Sequence, residues 1–135
     1  MDALDMAERQ RGRAESRMLS RATVRRESGT TTNPDGFEVP GWLDVYTDLP
    51  FRLGGANQGG AGTRTVTVGG TEVQVAVRTG SFPASTTDLR DGDLIEVTAG
   101  ENAGVVLRIV EASWQDQSTA RRVPVVETSR PAEWV

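Results

Sequence analysis

The sequence predicts an all-β fold, a small β-barrel or sandwich of six or seven short strands. Apolar and polar residues alternate with a period of two in several runs, which places successive side chains on opposite faces of a strand. Turns rich in glycine and aspartate separate these runs at short intervals. Almost no helical periodicity follows residue 20. At 135 residues, the chain has room for one such domain with an appendage at either end.

The strongest alternating pattern is a hairpin between residues 91 and 110. Ile95 and Val97 alternate with other residues in its first predicted strand, and an apolar run of similar period forms the second. The five residues from Gly100 to Gly104 connect the two strands, which is a normal length for a hairpin connection. Asp91-Gly92-Asp93 supplies a turn before the first strand. We expect this hairpin to lie at the centre of the barrel.

The N-terminal residues 1–20 are predicted to form a helix or an extended arm. Their apolar stripe is thin, so burial against the body would stabilise a helix only weakly. Residues 1–26 hold seven arginines and four acids, whereas the rest of the chain holds eight arginines and fifteen acids. A basic arm on an acidic body indicates a separate partner for the arm. The alternatives are a solvated, partly disordered terminus and phosphate contacts to nucleic acid, which the interleaved acids disfavour.

The domain proper is predicted to span residues 21–128, with a short tail over 129–135. The first predicted elements are a strand at 22–27 with Val24 in the core, a polar loop at 28–36, and an extended segment at 37–53 broken at Pro40-Gly41. A valine hairpin at 64–77 follows, with its turn at Gly69-Gly70, and then a loop at 80–90 that packs Phe82 and Leu89 onto the barrel. The central hairpin and a last strand at 119–128 complete the domain. Trp42 and Tyr46 are assigned to the core or the barrel mouth. Pro124 predicts an edge or a bulge in the last strand.

A glycine-rich stretch, residues 53–63, interrupts these strands. It holds no apolar side chain larger than alanine between Gly54 and Gly62, so burial cannot offset its ordering entropy. It is not a phosphate-binding loop, because no Gly-Lys-Ser/Thr pattern follows. Two interpretations stay open, a flexible hairpin loop and a loop that becomes ordered only in an oligomer.

Composition removes most catalytic chemistry. The chain has no cysteine, histidine or lysine, which excludes thiolate, imidazole and Schiff-base mechanisms. The acid pairs Asp91/Asp93 and Asp44/Asp48 fit turns better than a calcium loop, whose full ligand pattern is missing. A two-carboxylate glycosidase would need a larger, aromatic-lined cleft. We therefore expect no enzyme, no cofactor and no metal.

No apolar run is long enough to cross a bilayer, and the N-terminus shows no signal-peptide pattern. The expected setting is therefore soluble and cytoplasmic, or an assembled particle.

Arg121 and Arg122 are adjacent in the last predicted strand and therefore point to opposite faces. One of them suits a carboxylate on another subunit, because the guanidinium fork binds carboxylates in a bidentate manner. The alternative is a solvated charge that protects an edge strand from aggregation.

An ordered set of phrases resembles one protein family. They are TVRR (Thr23–Arg26), the Asp35-Gly36 loop, the segment Trp42–Arg52, the valine hairpin, LRDGDLIEVTAG (Leu89–Gly100), VLRIVEAS (Val106–Ser113) and DQSTARRVPVVE (Asp116–Glu127). Together, over about residues 20–128, they resemble the head-closure or stopper proteins in the neck of long-tailed phages and prophages of high-GC bacteria.

The resemblance implies a β-barrel subunit in a ring of six or twelve copies. Such a ring lies between the portal adaptor and the tail, closes the DNA channel after packaging, and docks the tail. The implied partners are further copies, the adaptor, tail terminator or tail tube proteins, and DNA that passes through the lumen without sequence specificity, with no membrane contact. The implied location is the virion, after assembly in the host cytoplasm.

A mobile loop that projects into the lumen is the gate in such rings, and residues 53–63 match it by position between two predicted barrel strands. The candidate gate residues are Gly54, Gly55, Ala56, Asn57, Gln58, Gly59 and Gly60. The candidate contacts to other subunits or to a neighbouring ring are Arg9, Arg13, Arg17, Arg121, Arg122 and Trp134.

Two other classes remain as alternatives. One is another neck or tail component, although an adaptor should be mainly helical and a tail terminator should pack helices on a sheet. The other is a small nucleic-acid-binding barrel, which normally carries basic and aromatic residues on one face.

Overall fold

In a computed structural model, the chain forms a closed antiparallel barrel of six strands, preceded by one helix and accompanied by a separate hairpin. The structure describes residues 3–54, 63–68, 70–110 and 120–134. Their elements are α1 (Ala3–Ser16), β1 (Ser20–Thr32), β2 (Glu38–Leu53), β3 (Thr63–Val68), β4 (Thr71–Ala76), β5 (Arg78–Pro83), β6 (Leu94–Ala99), β7 (Val106–Ile109) and β8 (Ala120–Thr128). The predicted all-β class with an N-terminal helix is confirmed.

The barrel strands follow the order β1-β2-β5-β8-β7-β6, and β6 pairs with β1 to close the ring of strands. Strands β3 and β4 pair only with each other among the described strands, in register from Thr63↔Ala76 to Val68↔Thr71. The valine hairpin is therefore confirmed, but it lies outside the barrel. The expectation that residues 53–63 join two barrel strands is wrong, because they join barrel strand β2 to β3 of the separate sheet.

The predicted central hairpin is confirmed as β6 and β7, which pair from Leu94↔Arg108 to Glu96↔Val106. Ile95 and Leu107 lie fully buried in the barrel core. Leu94 and Glu96 point to the other face of β6 and are nevertheless buried too. Both faces of this strand are therefore covered, one by the core and the other by outer side chains described below.

The core is built around two phenylalanines. The rings of Phe51 on β2 and Phe82 on β5 lie 4.9 Å apart between centroids, and both side chains are fully buried. The remaining core residues are aliphatic: Ala22, Val24, Leu89, Ile95, Val97, Leu107, Ile109, Val123 and Val125. The predicted burial of Val24, Phe82 and Leu89 is confirmed.

The two residues of β2 that were assigned to the core or the barrel mouth, Trp42 and Tyr46, have different outcomes. Tyr46 packs against the core while partly buried, as predicted. Trp42 does not belong to the core cluster. It lies half-buried on the outer face, where its partner is Trp134 from the end of the chain.

Strand β5 occupies residues that the sequence pattern assigned to a loop. Gly80 and Pro83 made this stretch look irregular, since both residues are uncommon inside strands. A Cβ added to Gly80 would lie 3.0 Å from the Phe51 ring, so the backbone approaches the ring at this position. The glycine that makes this stretch look irregular in the sequence is thus the residue that lets the backbone lie close to the Phe51 ring.

The β1–β2 pair also differs from its predicted boundaries. Residues 28–32, expected to be loop, continue β1, and Pro40-Gly41 does not break β2. The register shifts between Glu27↔Trp42 and Thr30↔Pro40, which accommodates the irregularity as a bulge. Gly41 is required there, because an added Cβ would lie 2.5 Å from the carbonyl oxygen of Ser28.

Pro124 was expected at an edge or a bulge. Strand β8 pairs with β5 from Ala120 to Val125 and with β7 from Val125 to Thr128, so Pro124 lies just outside the β7 ladder. The carbonyl oxygen of Pro124 accepts a hydrogen bond from the N–H of Val110 at 2.9 Å, just beyond the end of β7 at Ile109. Backbone N and O of a strand residue point to the same side, so the missing N–H faces the place where the β7 ladder has ended. This position explains how a proline fits inside a barrel strand.

We expect Gly100→Ala to destabilise the protein by about 1–3 kcal/mol more than Gly104→Ala. Both glycines have positive φ, 104° and 96°, so both substitutions carry a backbone cost of about 1–2 kcal/mol. A Cβ at Gly100 would also lie 2.9 Å from the Cβ of Ser20, whereas a Cβ at Gly104 meets open space. Urea unfolding of the two variants measures the difference, and equal stabilities would contradict the steric argument.

Candidate functional site

The chain leaves the barrel after β2 and returns to it at β5, and we call residues 55–77 the excursion. Three residues close its base and form what we call the neck: Gly54, Arg78 and Thr79. The N–H of Gly54 donates to the carbonyl oxygen of Thr79 at 2.7 Å. Arg78 Nε donates to the carbonyl oxygen of Gly54 at 2.9 Å. The neck therefore fixes where the β3–β4 hairpin departs from the barrel.

The candidate gate residues divide at this neck. Gly54 is buried and belongs to the neck itself, so it is a structural residue of the barrel. Gly55, Ala56, Asn57, Gln58, Gly59 and Gly60 lie outside the described residues.

The N-terminal candidates lie on or just after α1. Arg9, Arg13 and Arg17 are exposed, and α1 lies near β5 and β8. Residues 1–20 hold four arginines and four acids, so this segment is not basic. The surplus assigned to the arm comes from three arginines of β1, Arg21, Arg25 and Arg26, and the last two pair with acids of the body. The expected basic arm is therefore wrong in its charge.

The two arginines of β8 point in different directions, as their adjacency predicted. Arg121 is half-buried, and its Nε donates to the carbonyl oxygen of Ala84 at 3.0 Å. Arg122 is exposed and lies opposite Ser81 of β5. At these two positions β8 pairs with β5, whereas its ladder with β7 begins at Val125, so the edge-strand alternative for this pair stays a prediction.

A buried ion-pair network ties β1 to the loop before β6. Asp93 is almost completely buried and accepts hydrogen bonds from Arg26 Nε at 2.9 Å and Arg26 Nη2 at 2.8 Å. It also accepts one from the N–H of Arg90 at 2.9 Å, within the predicted turn. Asp88 receives further bonds from Arg26 and Arg90, and its own N–H donates to the Tyr46 hydroxyl oxygen. The Asp-Gly-Asp segment is thus both a turn and one half of a salt bridge.

Hydrogen bonding shifts the acid–base properties of this network. The bond to Asp93 raises the pKa of Arg26 above its ordinary range, so this arginine stays charged. The bond from Arg26 holds the pKa of the Asp88 carboxyl below its ordinary value. Within the described ranges, no three acidic side chains come together as a metal-binding group. The network therefore has a structural role, which is to hold β1 against the loop before β6.

Asp88→Asn should reduce stability at neutral pH and lose its effect in acid. A carboxylate with a lowered folded pKa stabilises the fold above its unfolded pKa, and this contribution disappears as the pH falls through the folded value. Urea unfolding at several pH values checks this, and the two proteins should converge below about pH 4. Asp35→Asn, in the exposed β1–β2 turn, is the control, and its difference in stability from the wild type should not change in this way with pH.

The C-terminal residues 129–134 fold back onto the outer face of the barrel, and we call them the strap. The Trp134 ring lies under the guanidinium of Arg25, whose Cζ is 4.6 Å from the ring centroid. Arg130 lies 5.7 Å from the same centroid. The Trp42 ring meets Trp134 edge-on, with centroids 5.2 Å apart and planes at 86°. Such cation–π and edge-to-face contacts each stabilise by roughly 0.5–1.5 kcal/mol.

Ion pairs and a hydrogen bond complete the attachment. Glu96 on β6 is buried and pairs with Arg25 Nη1 at 2.8 Å and with Arg130 of the strap. Trp42 Nε1 donates to Glu133 Oε1 at 2.9 Å. We call Arg25, Trp42 and Glu96 the seat of the strap. This outer cover explains why the second face of β6 is buried.

The structure brings Trp134, a predicted contact to other subunits, onto its own barrel. The three seat residues were missed by sequence reasoning. Trp42 and Trp134 are 92 positions apart in the chain, and no local period connects them. The available signal was the cluster of Arg130, Glu133 and Trp134 in a short tail.

The fold and these surfaces define a small antiparallel β-barrel protein that carries a helix, a hairpin excursion and a strap. The chain belongs to a family of unknown function (DUF6093), whose model matches residues 10–126. The matched range includes the barrel, the neck and the Asp93 network, and it ends before the strap. No curated protein matches the chain. The helix in the described part of the chain is too short and too polar to span a membrane.

Proposed function

We propose that the protein is a structural subunit of a head-to-tail connector of the stopper or head-closure type. Copies of it form a ring between a portal adaptor and the tail, close the DNA channel after packaging, and dock the tail. Its place is the neck of the virion, and it needs no catalytic residue or cofactor for this role. The proposal starts from the phrase-by-phrase resemblance over residues 20–128.

One structural observation carries the proposal: a hairpin excursion is attached at a fixed neck to an otherwise closed barrel. The closed barrel is a suitable building block for a ring, because pairing around the barrel leaves few free strand edges to aggregate. The hydrogen bonds of Gly54 and Arg78 set where the excursion leaves it. Identical subunits in a ring would therefore place their excursions symmetrically, which a channel gate requires.

Charge supports the same role. The chain has a formal net charge of −4, and Arg25 and Arg26 of β1 are engaged with acids of the body. A ring of acidic subunits repels DNA over the whole lumen and lets it pass without a specific grip.

A tail-terminator subunit is the second candidate, and one observation favours it. Helix α1 lies near β5 and β8 on the barrel, and a helix packed on a sheet is expected of such a subunit. A main role as an adaptor is disfavoured, because α1 is the one helix among the described residues.

Electron microscopy of particles from a phage lacking this gene tests the proposal. A stopper predicts DNA-filled or leaking heads beside complete tails that remain unattached, and a plasmid copy of the gene should restore tailed particles. Tails of abnormal length would favour the terminator instead. Normal tailed particles would remove the protein from the neck.

Ring formation is tested separately on the purified full chain. Light scattering after size exclusion should show a species of six or twelve subunits, at least at high concentration, and negative-stain images should show rings. A monomer at all concentrations would contradict the ring.

A further inference from the structure

The strap is attached to the barrel through side chains. Arg130, Glu133 and Trp134 make its contacts with the seat, as described above. The backbone hydrogen bond found in the strap, from the N–H of Trp134 to the carbonyl oxygen of Pro131 at 3.1 Å, is internal to it. Within the described residues, the strap adds no strand to the barrel. A segment held in this way can leave its seat without disturbing the ladders of the barrel.

The seated strap also leaves one polar group unsatisfied. Trp134 Nε1 is buried and has no hydrogen-bond partner among the described residues. A buried donor without an acceptor disfavours the arrangement that contains it. The intramolecular attachment therefore combines several favourable contacts with one unsatisfied donor, which lowers the cost of releasing the strap from its own barrel.

We propose that the seat of each subunit receives the strap of a second copy of this chain, so that neighbouring subunits exchange straps. This inference rests on the proposed ring. The contacts within one chain show which segment fits the seat. Arg130 pairs with Glu96, Glu133 accepts from Trp42, and Trp134 lies against Arg25. Exchange of an identical element between subunits uses the contacts of the closed monomer and needs no new surface.

The geometry of the exchange fits a ring. The strap continues from β8, whereas the seat lies on β1, β2 and β6, so strap and seat are different surfaces of the subunit. When each strap binds the seat of the next copy in order, the contacts are head-to-tail, and such contacts form a ring if the rotation between copies closes. Reciprocal exchange between two copies would instead give a closed dimer, which light scattering distinguishes from a ring. Strap exchange therefore supplies a directional link from each subunit to the next.

A peptide assay tests binding between chains. The probe is a fluorescein-labelled peptide with the sequence of residues 127–135, and full-length Trp134→Ala offers a vacant seat. We expect saturable binding to this variant that is about tenfold tighter than to the wild type, whose own strap competes for the seat. A peptide carrying Trp134→Ala is the control probe.

Two further variants show that the peptide binds at the seat. Glu96→Gln in the Trp134→Ala background keeps the side-chain shape, removes the ion pairs and should weaken binding by about tenfold. Arg52→Ala in the same background changes an exposed arginine ten residues along β2 from Trp42, opposite Ser81 of β5, and should bind like its parent. Circular dichroism checks that each variant is folded. Folded Trp134→Ala without saturable binding would overturn the exchange.

Mixing of two defective chains tests the exchange in assembly. Trp134→Ala lacks a working strap and Trp42→Ala lacks a working seat, so neither should form rings alone. A mixture retains one complementary contact per pair and should form dimers that cannot close. Rings that persist in either single variant would overturn the exchange while leaving the ring proposal intact. If the wild type stays monomeric, the ring proposal fails, and the peptide assay still decides whether the seat takes a strap from another chain.

Discussion

Asp93→Ala is expected to destabilise the barrel by about 3–5 kcal/mol, the usual cost of removing one partner of a buried ion pair. Asp93 is almost completely buried, and its carboxylate receives both forked donors of Arg26. Its removal leaves a charged guanidinium in a half-buried site, facing Asp88 as its remaining carboxylate partner in this network. The loss should appear as a lower midpoint in urea unfolding.

Two variants separate the charge from the packing. Replacing both partners with apolar residues, Arg26→Met with Asp93→Leu, should recover much of the stability, because no uncompensated charge remains. Arg108→Ala removes an exposed strand arginine and should change stability by no more than about 0.5 kcal/mol. A cost for Asp93→Ala below about 1 kcal/mol would show that the pair is not effectively desolvated.

Phe82→Ala should also cost about 3–5 kcal/mol, because it removes a fully buried ring from the core. The substitution acts at the shortest ladder among the described barrel strands. Strands β2 and β5 pair at two positions, Arg52↔Ser81 and Leu53↔Gly80. The contact between the Phe51 and Phe82 rings therefore contributes much of the stability of the β2–β5 junction, which we call the seam.

Hydrogen exchange distinguishes a local loss of stability, where β2 pairs with β5, from a uniform loss across the barrel. Amides of β5 should lose protection in Phe82→Ala more than amides of β6, since β6 pairs with two neighbours along its length. Phe82→Leu keeps most of the apolar volume and should cost less than about 1.5 kcal/mol. Equal loss of protection in both strands would argue against a local seam.

The parts of the fold that the sequence predicted well are those with local signals. The β6–β7 hairpin has alternating residues and a short connection within twenty positions, and the β3–β4 hairpin turns where its two glycines predicted. Strand β5 was missed because Gly80, which lets the backbone lie close to the Phe51 ring, is a residue that is uncommon inside strands. Membership of a strand in the barrel depends on partners far along the chain, and no local period contains that information.

For the candidate surfaces too, local features were predicted from the sequence and features that depend on distant residues were not. Arg121 and Arg122 diverge, as two adjacent strand residues must. The surroundings of Trp42 depend on a partner at the other end of the chain, so its aromatic character alone suggested the core. The positive charge predicted for the N-terminal arm belongs to β1, where Arg25 and Arg26 pair with acids much later in the sequence.

The neck has a consequence for how members of this family can vary. Because Gly54 and Thr79 are joined across the base of the excursion, residues between them can be added or removed without moving a barrel strand. Chain-closure entropy changes by only about 0.6 kcal/mol for each doubling or halving of such a segment. The length of the excursion is therefore nearly independent of barrel stability. In the proposed ring, insertion and deletion would adjust the reach of the excursion to channels of different diameter while the barrel stays the same.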